Sequence, residues 1–295
     1  MKELDFTRAA TLRREAGAKP RRPRRFWGLL LLALVAALAL QAWPGAPAPA
    51  AVAQGQLLED LHYRVEYLLW QEVARARLTL TSLGPGRYRV ELSGEPLGLM
   101  KTLTGPRRDS YQTEMVWRQG KFAPLVYREE CRKKNKRYLK EYRFDYEKGQ
   151  LELWQLKEDR GVMVRKWHTP LKGPIQDPLS AFYNYRLGLL GPIKEGETIR
   201  LEGIPYPKPE EIEVRIGPET AGGRKVMISL NNQAFANERG TVFAYLDGSL
   251  VPRKAWTNVL NMGTISGELL PGGKPLNGTL PEMAKTAAPA AGGND

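Results

Sequence analysis

Between Val73 and Trp256 apolar and polar residues alternate in short runs separated by turns rich in Gly and Pro. Successive side chains of a strand point to opposite faces, so a period of two marks strands with one buried and one wet side. Val73–Leu83 leads through Gly84-Pro85-Gly86 into a run where Tyr88, Val90 and Leu92 alternate with Arg87, Arg89 and Glu91, which predicts a hairpin. Tyr138, Tyr142, Phe144 and Tyr146 share one face of a further strand, opposite Glu141, Arg143, Asp145 and Glu147. Lys148-Gly149 turns that strand into Leu151–Leu156. Val162–Trp167, Glu211–Ile216, Lys225–Leu230 and Val242–Leu246 continue the pattern, and Asp247-Gly248 is a hairpin turn toward Leu250–Trp256. The pattern predicts a mainly β domain: a large antiparallel sheet, a curved half-barrel or a sandwich.

One segment breaks the alternation. Asp177 suits a helix N-cap and Pro178 the first helical position. Leu179, Phe182, Tyr183, Leu187 and Leu190 then recur at helical spacing until Gly191-Pro192. The spacing predicts one helix of about three turns over 178–190, its apolar stripe covering an open face or end of the sheet.

The N-terminal region constrains location. Phe26–Trp43 is an uncharged stretch of 18 residues, which as a helix spans roughly 27 Å, the thickness of a hydrocarbon core. Trp27 and Trp43 stand at its ends, Arg21-Arg22-Pro23-Arg24-Arg25 precedes it, and the next charge is Glu59. That asymmetry places residues 1–25 in the cytoplasm and the chain after Trp43 outside it, as a single-pass inner-membrane protein with a periplasmic domain. Ala51-Val52-Ala53 offers a cleavage site, so a signal helix removed on secretion to the periplasm is the competing reading. Residues 44–56 form a Pro/Ala linker, 57–270 the β-rich domain, and 271–295 a Pro/Gly/Ala tail expected to be disordered.

Composition excludes more than it proposes. The net charge of +13 includes nine basic and three acidic residues in 1–25, leaving 36 basic against 29 acidic elsewhere. That balance does not argue for nucleic acid. Cys131 is alone and the two histidines, His62 and His168, are far apart, so neither a disulfide nor a Cys- or His-based metal site is expected. No glycine loop cradles a phosphate, and no cofactor is implied. Ser180 and His168 suggest a hydrolase only on paper, because no G-x-S-x-G elbow is present.

The motif Asp177-Pro178-Leu179-Ser180-Ala181-Phe182-Tyr183 with Arg186 carries a resemblance. Beside it stand Leu61–Val65, Ala76–Leu80, Pro124, and an ending of Asp247, Pro252-Arg253-Lys254, Gly263 and Gly267-Glu268-Leu269. Together these resemble an uncharacterised family of exported bacterial proteins, domain of unknown function 3108, over most of residues 57–270. The basic run 132–137 and the proline-rich 203–209 are not features of that family. The resemblance implies an envelope location and an antiparallel β fold, and it implies no activity.

Two candidate sites emerge. Leu179, Phe182, Tyr183 and Arg186 could line a groove for a ligand. The structural alternative makes Asp177 a cap, the aromatics core, and Arg186 a side chain reaching to solvent. Arg132, Lys133, Lys134, Lys136 and Arg137 could contact an anionic surface, or simply guard a sheet edge. The leading expectation is a non-enzymatic, membrane-tethered domain that binds a hydrophobic envelope ligand, such as lipid or a lipoprotein acyl chain. An assembly module recruiting an envelope protein is the alternative, and an envelope hydrolase the third.

Overall fold

The computed structural model describes residues 55–276, apart from 69, 106, 134–135, 205–208, 230–239 and 260–262. The expected N-terminal segments 1–25 and 26–43, nearly all of the linker, and the tail from 277 lie outside the described residues. Among the described residues no helix is long and apolar enough to cross a membrane.

Among the described residues the period-two pattern becomes a single antiparallel sheet of 14 strands. The first arm comprises β1 (Gln56–Tyr67), β2 (Trp70–Gly84), β3 (Arg87–Pro96), β4 (Arg107–Arg118), β5 (Lys121–Lys133), β6 (Lys136–Asp145), β7 (Gln150–Lys157) and β8 (Val162–Pro170). The second comprises β9 (Thr198–Gly203), β10 (Glu210–Thr220), β11 (Gly223–Ser229), β12 (Thr241–Leu246), β13 (Pro252–Val259) and β14 (Gly263–Leu269). Within each arm every strand pairs with its neighbours in sequence, and β1 pairs with β14, so β8 and β9 are the two free edges.

The sheet is curled. Leu78 and Leu92 on β2 and β3 line one cavity with Ile212 and Val214 on β10. Six strand steps separate β2 from β10 in the ladder, which in a flat sheet is roughly 29 Å at about 4.8 Å per step. The structure is therefore a half-barrel rather than a two-sheet sandwich. Its inward residues form one core, in which Tyr63, Phe122, Tyr142 and Tyr183 are fully buried. Burial of the Phe122 side chain contributes about 1.5–3 kcal/mol.

The connection from β8 to β9 carries α2 (Pro178–Arg186). Its Asp177 cap and Pro at the start are as the sequence predicts, but it runs for 9 residues and stops short of 190. Gly188, at φ 67°, takes the left-handed turn that ends it. A second helix, α1 (Gly98–Thr104), joins β3 to β4 and is not predicted by the sequence pattern. The ordered chain also continues beyond 270: Asp60 and Lys274 exchange main-chain hydrogen bonds of 2.8 Å.

In the loop before α2, Gln176 forms a parallel bridge to Gly203 at the end of β9. Gln176 donates from its main-chain N to Glu202 O, and Ile204 N donates to Gln176 O, both at 2.9 Å. A Cβ on Gly203 would meet Ile212 Cδ1 at 2.4 Å and Gln176 O at 3.3 Å, so a side chain here would displace the end of Ile212 and crowd the bridge.

Candidate functional site

The helix α2 lies inside the curve and presents two unlike sides. One side is polar and fastened to the first arm. Asp177 Oδ1 accepts from Leu179 N at 2.8 Å, Ser180 N at 3.2 Å and Thr113 Oγ1 on β4 at 2.5 Å. Burial nevertheless pushes the Asp177 carboxyl above its usual range, and Oδ2 has no partner among the described residues. The β5–β6 ladder reaches only Val126, and beyond it Asn184 serves the main chain of Phe122, accepting from N and donating to O at 2.8 Å each. At the far end Tyr183 Oη donates to Glu59 Oε2 at 2.6 Å, and Arg186 Nη1 donates to both Glu59 oxygens at 3.0 and 2.8 Å.

A bulge between Leu57 and Glu59 in β1 lets Leu58 and Glu59 both turn inward. Glu59 therefore meets α2 instead of solvent. Arg186 is correspondingly buried, which corrects the expectation that it reaches to water. Asp177 and Arg186 do not pair with each other.

The other side of α2 faces an apolar, partly open cavity of about 120 Å³. Pro178, Leu179, Ala181, Phe182 and Tyr185 form its helical wall, with Leu190 just beyond. Leu201, Val214, Val226, Val242, Ala244, Leu246 and Ala255 are among the strand residues opposite. The volume compares with the roughly 150 Å³ apolar cavity that stays dry and admits benzene. Tyr185 gives its ring to this wall, and its hydroxyl is buried, closed off from solvent and without a hydrogen-bond partner among the described residues. Burial pushes that hydroxyl up to about 12 while the charge of Arg224 opposes the rise, so the phenol keeps its proton as a donor. Arg224 lies on β11 two residues before Val226, on the same inward phase, and forms an ion pair with Glu219 at 3.0 Å.

The structure thus divides the expected ligand set. Leu179 and Phe182 line the cavity, whereas Tyr183 and Arg186 turn to Glu59 on the opposite side. Sequence reading missed Glu59, Thr113, Gln176 and Asn184. Glu59 was legible, since it shares the odd phase of Leu61, Tyr63 and Val65.

The basic run forms the β5–β6 hairpin tip, where Lys134 lies outside the described residues. Arg132 and Arg137 both pair with Glu130, Arg137 Nε at 2.8 Å. His168 is exposed on the edge strand β8, while Ser180 is buried in the capping network with its hydroxyl 3.0 Å from Gln176 Oε1. Among the described residues no group of three or more His, Cys, Asp or Glu side chains is placed to hold a metal. A further buried pair occupies β4: Arg107 Nη2 lies 2.7 Å from Asp109 Oδ2, beside Cys131.

A model of the family described as "Protein of unknown function (DUF3108)" matches residues 62–218, from β1 through α2 to β10. No curated protein matches. Among solved structures, the chain is similar to the crystal structure of a beta-barrel-like protein of domain of unknown function DUF1849 from Brucella abortus. The identity is 10%, the match covers 73% of this chain and 97% of that one, and the TM-score is 0.42.

Proposed function

The chain belongs to the DUF3108 family of proteins of unknown function, so its activity has to be read from its own site, and we propose that it binds an apolar ligand between α2 and strands β9–β13. The observation that carries this reading is the cavity itself, lined almost wholly by apolar side chains and bounded by a helix fastened on its opposite side. A rigid wall facing an unfilled apolar space is what a hydrophobic binding site needs. A packed core leaves few voids larger than a water molecule.

The chemistry of the guest is dictated by the lining. A hydrocarbon chain suits the walls, each buried methylene contributing about 0.8 kcal/mol, or roughly fourfold in affinity. The guest we propose is therefore a hydrocarbon or acyl chain, in keeping with the envelope setting proposed from the charge asymmetry around 26–43. Nothing in this reading requires bond making or breaking.

Native mass spectrometry of the full chain, purified without denaturation, tests it together with Ala244→Phe, which places a ring in the cavity. A co-purifying lipid mass in the parent chain that is absent from the variant is the expected result. The proposal is overturned if the parent chain is empty and also fails to take up octanoate or palmitate added in excess. Crosslinking in the intact envelope would then address the assembly-module alternative.

A further inference from the structure

Connections of an antiparallel meander alternate between the two ends of its sheet. The β1–β2, β3–β4, β5–β6 and β7–β8 connections therefore share one rim, and β2–β3, β4–β5 and β6–β7 share the other. The large hydrophobic side chains exposed among the described residues are Leu68, Trp70, Leu99, Leu103, Tyr138 and Val162, at 47–66%. All six belong to the first rim. Leu68 and Trp70 flank the β1–β2 turn, and Leu99 and Leu103 project from α1. Tyr138 is the third residue of β6, and Val162 opens β8. The opposite rim carries none of them, and its turns are polar or glycine-bearing: Gly84-Pro85-Gly86, Gln119-Gly120 and Lys148-Gly149.

The same rim bears the basic hairpin tip. Arg132, Lys133, Lys136 and Arg137 stand there against Glu130 and Glu158, and Lys101 sits between Leu99 and Leu103 on α1. Apolar side chains left in water cost free energy that scales with their area, so six gathered at one end mark a surface that is covered in use. Trp and Leu beside Lys and Arg are the residues that settle at a membrane interface. There the rings and aliphatic chains enter the acyl boundary while the cations lie over headgroups.

We propose that this rim docks on an anionic lipid bilayer. Charge complementarity selects that occupant: each Lys or Arg held at such a surface contributes about 1 kcal/mol, and the contribution falls away beyond a Debye length. The docking surface is independent of the cavity and would stand if the cavity proved empty.

The test uses the full chain, with Cys131→Ser as background, carrying one environment-sensitive fluorophore on an introduced cysteine. Leu103→Cys labels the proposed rim and Pro85→Cys the opposite one. Because both proteins share the N-terminal apolar segment, the difference between them reports the rim alone. Vesicles of phosphatidylcholine with phosphatidylglycerol should shift the emission at position 103 to the blue, with no shift at 85. Vesicles of phosphatidylcholine alone should give a smaller shift. Replacing Arg132, Lys133, Lys136 and Arg137 by Gln should remove the dependence on phosphatidylglycerol. Equal behaviour at 85 and 103, no shift in any vesicle, or a shift indifferent to phosphatidylglycerol overturns the proposal.

Discussion

Arg186 places Nη1 2.8 Å from Glu59 Oε2 with the two side chains 6% and 0% exposed, so the ion pair joins the last turn of α2 to the first strand of the sheet with almost no water between. Tyr183 donates to the same carboxylate. A buried pair of this kind is a weak net contributor, since desolvating both charges offsets their attraction, but breaking it strands one of them.

Glu59→Ala is therefore expected to destabilise the protein by about 3–5 kcal/mol, measured by urea unfolding. The double change Glu59→Leu with Arg186→Met should recover most of that loss. A single variant as stable as the parent would show that Arg186 finds another partner or reaches water.

Asp177 gives the stability a pH dependence of defined sign. Burial raises its carboxyl above the value of 3.8 that it has when exposed, so the folded protein binds this proton more tightly than the unfolded chain. Stability from this group must then rise as pH falls through the window that starts at the raised value and closes at 3.8. Asp177→Asn, which keeps an acceptor without the charge, should match or exceed the parent at neutral pH and lose this dependence. Asp177→Ala should cost roughly 1–2 kcal/mol through loss of the cap. Unfolding midpoints of the three proteins between neutral and acid pH decide the matter.

Tyr185→Phe tests what the buried hydroxyl costs the folded protein. An orphaned buried hydroxyl costs about 1–3 kcal/mol, so its removal should stabilise the empty protein by up to that amount. Calorimetry should show octanoate binding the two proteins alike, because the hydroxyl is closed off from the cavity. A neutral hydrocarbon of equal length should bind the two proteins alike. Weaker octanoate binding by the variant would show that the hydroxyl turns into the cavity when a guest enters.

Cys131 serves as a reporter of opening. Burial, with Asp109 alongside, pushes its thiol up to about 12, which leaves almost no thiolate at neutral pH. Alkylation of the folded chain should be slow and should accelerate with urea in step with unfolding. Rapid labelling of the native protein would show that β5 opens locally near its end.

The strand periodicity and the Asp177-Pro178 start of α2 were legible because each is written in neighbouring residues. The cavity was not, because Leu179 and Phe182 reveal a helix stripe while Val214, Val226 and Ala244 on the opposite wall read only as core. Their meeting depends on the curl of the sheet, a property summed over many strands. The polar clasp beneath α2 was half legible: Glu59 and Thr113 occupy inward phases of β1 and β4, an anomaly in an apolar series. The bulge that adds Leu58 beside Glu59 obscured it. For α1, the run Gly98–Thr104 lacks a capping side chain, and no local signal separates it from a loop.

The Gln176–Gly203 bridge has a mechanical consequence. Among the described residues no strand pair joins the two arms across the seam between β8 and β9, and that bridge with its two main-chain bonds fastens the second arm to the root of α2. Elsewhere along that margin the wall formed by β9–β13 meets the rest through side chains of the shared core. The spacing between the helix and the far wall thus has a main-chain stop, fixed as a calliper's jaw fixes its gauge.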